Sequence, residues 1–425
     1  MKILIVTVGT QGDVQPCVAL GRALMESGNE VTICTCAHFE PSVRKCGLDY
    51  AYYNNDFIDF MHTPEGKIIL GKAGWETLAT LVPMLPKIFK LQERQMTDIW
   101  EVCKETAPDL ILYQPMNASG VPDFAEKLGV PCMQAFWIPM HVPTTRFPAA
   151  LFPDLPLGPG YRRLTYQFYK MMTIMVNGRI RKWRAQHGLD PRSPGLRMRL
   201  PDGRPLPVLY GFSRHIIPPP EDWAGTATVT GFWFLNQAEH WNPPESLTEF
   251  LSEGEPPVYF GFGSIFGRNP KHATQVVVEA VRRTGVRAVL ARGWGGLEPT
   301  ASAQSESVMF IEGAPHDWLF PQVSAVVHHG GCGTTAAGLL AGKPTIICPF
   351  FGDQPYWGRH VERLGVGPSP IPQKRLTAER LCHAIDVAMN DSKMRQNAVT
   401  LGNLLQKENG TSNAVAFINQ WMNSQ

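Results

Sequence analysis

The segment KILIVTVGTQGDVQPCVALGRALMESGNEVTICTC, residues 2–36, reads strand, loop, helix, strand. Residues 2–8 are an unbroken run rich in β-branched and leucine side chains, the pattern of a strand covered on both faces. Gly9-Thr10-Gln11-Gly12-Asp13 is the loop. From Val14 onward Cys17, Leu20, Gly21 and Leu24 recur at helical spacing. Pro16 is expected in the first helical turn, where its missing N–H is harmless. Gly28-Asn29 ends the helix, and residues 31–36 supply the next strand. Such a βαβ unit implies an α/β fold with a parallel sheet and right-handed crossovers.

Working outward, further strands are expected at 110–113, 132–136 and 208–212. Residues 139–160 carry Pro139, Pro143, Pro148, Pro153, Pro156 and Pro159, too many for a helix or a central strand. They predict a surface loop lining a cleft, followed by a helical region over 161–187. Pro218-Pro219-Pro220 marks a composition break. Beyond it a second series starts: strands at 257–262, 288–291, 308–311, 325–327 and 345–348, and helices at 271–284 and 334–341. The chain has 425 residues, enough for two cores. The expected organisation is 1–217, a linker at 218–225, a second domain at 226–404, and a helix at 405–425 folding back on the first domain. Two doubly wound Rossmann-like domains facing each other across a cleft would bind ligands at the carboxyl ends of their strands.

Composition narrows the partners. A net charge of +2 gives no field that argues for nucleic acid. The basic run Arg179, Arg181, Lys182, Arg184, Arg192, Arg197, Arg199, Arg204 reads as a solvated helix and loop, with peripheral contact to an anionic surface as the sharper alternative. Nine cysteines lack a regular framework. They are expected to be buried thiols in a reducing, cytoplasmic compartment. The leading apolar run is about six residues, short of a signal h-region, and no stretch approaches the roughly 18 apolar residues of a membrane span.

The densest chemistry lies at 313–354. His328-His329-Gly330-Gly331-Cys332-Gly333-Thr334-Thr335 joins a strand to a helix. Glycines admit close backbone approach, and a helix start offers unpaired N–H groups and a positive dipole end, which suits a diphosphate. His329 and the Thr334 hydroxyl add donors. Asp353 and Gln354 follow an apolar strand and a glycine; an acid beside an amide can accept from and donate to vicinal sugar hydroxyls, or cap a loop.

Together these residues resemble the donor-binding signature of family-1 glycosyltransferases of GT-B fold, in the branch of sterol glucosyltransferases and antibiotic glycosyltransferases. The resemblance implies that His329, Gly331, Gly333 and Thr334 grip a diphosphate and that Asp353 and Gln354 grip the glucose of UDP-glucose. Ala314, His316 and Trp318, within the sterol-like string 315–321, would line the nucleobase site. Ser264, in the strand-end loop Gly261-Phe262-Gly263-Ser264, would add a phosphate contact. Plant members carry a Glu for the ribose where Ala337 stands here, so ribose contacts come from elsewhere.

Direct glucosyl transfer needs a base, an in-line donor carbon and a stabilised leaving group. Asp13 is the one ionisable group in the first loop. Its residue type alone also fits a helix N-cap. Antibiotic and sterol members carry Asp where plant members carry a catalytic His, which makes Asp13 the expected base. The plant enzymes' supporting Asp corresponds to Tyr113-Gln114-Pro115, consistent with a carboxylate working alone. With no Asp-x-Asp motif, neither metal nor other cofactor is expected, and a single displacement inverts the sugar carbon. Phe57, Phe60, Phe136, Trp137, Met140 and Thr144 are the candidates for contacting a small hydrophobic acceptor, a sterol, triterpenoid or phenolic. The expected assembly is a monomer or homodimer. Two other classes share this layout: a nonhydrolysing nucleotide-sugar epimerase, and a noncatalytic nucleotide-sugar-binding protein. A nicotinamide oxidoreductase is disfavoured, because the first loop lacks G-x-G-x-x-G spacing.

Overall fold

The computed structural model describes the chain apart from residues 64, 67–74, 116–117, 119, 193–198, 201, 263–269, 294–296, 298–304 and 425. It divides into two compact units, Met1–Leu235 with Glu408–Gln425, and Asn236–Lys407.

The first unit is built on seven parallel strands: β1 Lys2–Val6, β2 Glu30–Thr35, β3 Asp49–Tyr52, β4 Leu110–Tyr113, β5 Cys132–Phe136, β6 Val208–Tyr210 and β7 Ala227–Val229. Their order is β3-β2-β1-β4-β5-β6-β7. Because β1 pairs with both β2 and β4, the winding reverses there. The loops after β1 and β4 therefore open side by side at the point where such sheets bind ligands. β4 and β5 are buried along their whole length, as sheets covered on both faces require.

The second unit has five parallel strands: β8 Val258–Gly261, β9 Ala288–Ala291, β10 Val308–Ile311, β11 Ala325–His328 and β12 Thr345–Ile347. Their order is β10-β9-β8-β11-β12, so its switch point lies between β8 and β11. Alternating side chains feed two cores. Val258, Phe260, Leu290 and Val327 pack with the helices Pro270–Thr284 and Ala378–Asn390, while Tyr259, Val289, Ile311 and Val326 pack with Leu319 and Phe320.

The structure corrects several expectations. The boundary falls after Leu235 rather than at 218–225. The short strand β7 pairs with β6 and keeps the segment after the triple proline in the first sheet. Helix Gln11–Glu26 begins three residues before Val14, so Pro16 is its sixth residue, inside the helix rather than in its first turn. The region 161–187 is two helices, Gly158–Thr165 and Gln167–Gln186, meeting at Tyr166. In the basic run, Arg184 is not solvated. It is buried and donates to Asp123 at 2.6 Å, Glu126 at 3.0 and 3.1 Å and the Asp190 carbonyl at 2.7 Å. A buried guanidinium is tolerable when its donors are met this way.

The proline-rich loop is also more interior than expected. Met140, His141, Val142, Thr144, Ala149 and Ala150 are buried. Their backbone is satisfied by side chains: the Tyr210 hydroxyl accepts from the His141 and Val142 amides at 3.4 and 3.2 Å, and Trp223 donates to the Val142 carbonyl at 3.1 Å. A buried loop is possible only with such partners.

The C-terminal helix, Gly410–Met422, packs on helix Gln11–Glu26 as expected. Asn413 donates to the Thr230 carbonyl at 2.9 Å. Gly410 itself lies so close to the chain that a Cβ there would meet the Phe232 carbonyl oxygen at 2.2 Å. All nine cysteines are free thiols, and among the described residues no helix is long and apolar enough to cross a membrane.

Candidate active site

Asp13 projects from the first turn of the helix that follows β1. It is not the N-cap: Thr10 takes that place, and Asp13 is the reciprocal member of a capping box, its Oδ2 accepting from the Thr10 amide at 2.7 Å and the Thr10 hydroxyl at 3.2 Å. Capping boxes are set by such reciprocal bonds. The carboxylate rests against Gly9, whose φ is +149° and whose imagined Cβ would lie 2.1 Å from Oδ2. Only glycine fits both demands there.

Asp13 is not a carboxylate working alone. Gln114, immediately after β4 and buried, donates to Asp13 Oδ1 at 3.1 Å. Its own amide donates to the Val6 carbonyl at 3.0 Å, which locks the β4 loop to the end of β1. The sequence carried half of this signal: Tyr113-Gln114-Pro115 is the region where plant members carry a supporting acid, but an amide donating to a carboxylate appears only once β1 and β4 are neighbours. Gln114→Met is expected to reduce turnover roughly 10- to 100-fold, the worth of a hydrogen bond to a charged group, and to leave donor affinity unchanged. Steady-state kinetics with a separate donor titration reads both.

In the second unit, β11 ends at His328, and a turn through Gly330, with φ +93°, opens the helix Cys332–Leu340. A Cβ on Gly330 would lie 2.6 Å from Ile347 and 3.1 Å from the Gln354 carbonyl oxygen, so glycine is required. The helix starts at Cys332 rather than at Thr334, and Thr335 donates the first intrahelical amide bond, to Gly331 at 2.9 Å. The Gly333 and Thr334 amides lie in the first turn, at the positive helix end.

Two imidazoles complete the turn. His328 Nδ1 accepts from the Gly330 amide at 2.9 Å, which puts its ring proton on Nε2. That Nε2 and His329 Nδ1 are buried without hydrogen-bond partners. Buried polar atoms are nearly always paired in folded proteins, which makes two orphans at one turn a candidate ligand site. Burial pushes His328 well below the usual imidazole range. It also pushes His329 down to about 4, against the opposing pull of the Gly261 backbone. Both rings are neutral near pH 7: His328 carries its proton on the orphaned Nε2, whereas His329, bonded to the Gly261 backbone, presents an Nδ1 that donates to an anion only on gaining a proton.

His316 belongs to the same neighbourhood. Its ring stacks on Phe320 at 4.3 Å, burial lowers it to about 4, and it acts electrostatically on His328 and His329. Trp318 meets Trp241 edge-on at 4.8 Å, and Ala314 packs on the same core. Between them Asp317 accepts from the Gln237 and Ala238 amides at 2.7 and 2.9 Å, fixing the segment. Ala337, at the plant ribose position, is half-buried against that core.

Asp353 is half-buried and accepts from Trp357 Nε1 at 2.8 Å; burial pushes its carboxyl up to about 6. Gln354 is buried, and its Oε1 accepts from the Phe350 and Phe351 amides at 2.7 and 3.3 Å. The loop-capping role is thus occupied by the Gln354 carbonyl, and any sugar contact falls to its Nε2. Ser264 lies outside the described residues, as does the side chain of Phe57. Phe60, Phe136, Trp137, Met140 and Thr144 are all in the interior of the first unit. Phe136 packs on Trp137 and His141 at 5.5 and 5.4 Å.

Known proteins align with both halves. Residues 3–144 match "Glycosyltransferase family 28 N-terminal domain", and residues 297–411 match "Erythromycin biosynthesis protein CIII-like, C-terminal domain". A sterol 3-beta-glucosyltransferase of Emericella nidulans is 36% identical over 98% of this chain and 30% of its own length. That of Arabidopsis thaliana is 36% identical over 98% of this chain and 64% of its own. The chain thus spans 30% and 64% of the length of these two relatives. Among solved structures, the glycosyltransferase of kitacinnamycin has a TM-score of 0.73 at 19% identity, covering 99% of each chain. SsfS6 of Streptomyces sp. SF2575, complexed with thymidine diphosphate, has a TM-score of 0.61 at 20% identity, again over 99% of each chain. With two switch-point sheets, the glycine turn after β11 and a match at both ends, the chain belongs to the GT-B glycosyltransferases of the family-28 and erythromycin CIII-like kind.

Proposed function

We propose that this protein transfers glucose from UDP-glucose to a hydroxyl of a small hydrophobic acceptor of the sterol class, with inversion at the sugar carbon. The observation that carries this reading is the 36% identity to sterol 3-beta-glucosyltransferases over 98% of the chain. The orphaned imidazole nitrogens beside a helix start support the donor half of it.

In this reading Asp13 accepts the acceptor's hydroxyl proton, and the freed oxygen attacks the anomeric carbon. The bond from that carbon to the diphosphate oxygen breaks, and UDP leaves with the electron pair. The amides of Gly333 and Thr334, the Thr334 hydroxyl and His329 take up the charge on the leaving oxygens. Gln114 keeps the carboxylate aimed, and Asp353 accepts from glucose hydroxyls. An α-linked donor gives a β-linked product.

The direct test is a panel of sterols, triterpenoids and phenolics incubated with UDP-glucose, scored by mass for a product one hexose heavier. An epimerised donor formed without acceptor would overturn the transfer reading.

Asp353 supplies a pH signature. Its ionised form is the acceptor for sugar hydroxyls, and its carboxyl protonates near pH 6. UDP-glucose affinity is therefore expected to hold above about pH 7 and to fall as pH drops through 6, approaching tenfold per unit below it. UDP has a terminal phosphate that gains its own proton at about pH 6 and UDP-glucose has none, so the control for other titrating groups is the Asp353→Asn variant. Calorimetric titration of UDP-glucose between pH 5 and 8 reads it, and Asp353→Asn should abolish the slope.

A further inference from the structure

Among the described residues, nine large apolar side chains are exposed, and five of them lie between residues 151 and 171: Leu151, Leu155, Leu157, Leu164 and Met171. That is about one-twentieth of the chain. Leu157, Leu164 and Met171 are 64%, 66% and 56% exposed and follow one another at seven-residue spacing. Tyr166, where the two helices meet, has φ −73° and ψ −18°. The helical path therefore continues through the junction, and seven-residue spacing places Leu164 and Met171 on one face, with Leu157 at the N-cap of the first helix, just before Gly158 at φ +77°. This face is held from beneath: Thr165 accepts from the Ala149 amide at 2.9 Å, and the Tyr166 hydroxyl donates to the Phe147 carbonyl at 3.3 Å.

The charge around the stripe is one-sided. Residues 155–189 contain no Asp or Glu and seven basic residues, Arg162, Arg163, Lys170, Arg179, Arg181, Lys182 and Arg184. Three are engaged elsewhere: Arg184 in its buried cluster, Arg179 over the Phe89 ring, and Arg162 with Asp154 at 3.2 Å. Arg163 and Arg181 are exposed. Lys182, three turns beyond Met171 on the same face, is exposed with only a 3.9 Å approach to Glu93.

We propose that this stripe, Leu157, Leu164 and Met171 with Arg163 and Lys182, docks on an anionic phospholipid surface. An interfacial helix with apolar side chains on one flank and Lys or Arg beside them gains from both the acyl boundary and the headgroup charge. A second copy is a poor occupant, because a two-fold contact would set the same cations against each other. The inference rests on the first unit alone and requires no assumption about the reaction.

The test is flotation of the full chain with vesicles of phosphatidylcholine alone or with about one-third phosphatidylserine. Binding is expected to the anionic vesicles only, and to be largely lost at about 0.5 M salt as the charges are screened. Leu157→Ser with Leu164→Ser should weaken it roughly tenfold or more. Arg163→Glu with Lys182→Glu should weaken it on the order of 25-fold or more. Melting temperature and UDP affinity should be unchanged in both double variants. No binding by the parent chain, equal binding to neutral vesicles, or binding indifferent to both double variants would overturn the proposal. So would sedimentation showing self-association that the Leu variants abolish, without vesicle binding.

Discussion

Asp13→Asn should lower kcat about 1,000-fold, within the 10²- to 10⁴-fold range that general-base catalysis supplies. Asn is close to isosteric, and its amide oxygen can still accept from the Thr10 amide that Asp13 Oδ2 now holds at 2.7 Å. The helix start is therefore expected to persist, and the melting temperature to stay within a degree or two. UDP-glucose affinity should be unaffected, because every donor contact assigned above lies in the second unit. Kinetics with a competent acceptor, alongside thermal unfolding and donor titration, separates these terms. A loss of less than about tenfold would remove Asp13 from the role of base and leave it as a capping residue. Gly9→Ala offers an orthogonal check: a methyl group 2.1 Å from Oδ2 must push the carboxylate aside, so turnover should fall although no titrating group has changed.

His329→Ala should weaken UDP-glucose and UDP alike, by roughly 10- to 150-fold, the value of a hydrogen bond to a charged group. Equal loss for both ligands is the informative part, because it places the contact on the diphosphate rather than the sugar. Asp353→Asn should weaken UDP-glucose and leave UDP alone. Calorimetry with the two ligands and the two variants makes a four-way comparison. Unchanged UDP binding in the His329 variant would show that its orphaned Nδ1 serves something other than the donor's phosphates.

Much of this molecule is legible in one dimension. The strands at 110–113, 132–136, 288–291 and 308–311 are found at those residues, because uninterrupted apolar runs bounded by polar loops have few other ways to be buried. The diphosphate turn is legible for a similar reason. Its glycines, histidines and threonine are contiguous, so their order alone states what the backbone must do there. The short edge strands β3 and β7 are not legible: β3 is only partly buried, and neither carries a long apolar run.

The sequence by itself determined the parallel α/β architecture, and the placing of Asp13 and His329 in the turns that follow their strands, since each follows from local pattern and short-range spacing. Tertiary structure alone decided three other matters. It set Gln114 against Asp13, 101 residues away, because strand order places β4 beside β1. It enclosed Arg184 between Asp123 and Glu126, some 60 residues distant, turning an apparently solvated cation into a buried one. And it left Leu157, Leu164 and Met171 in water while burying Trp137 and Met140. Apolar residues look alike in a sequence; which of them lose their water depends on what the chain folds over them.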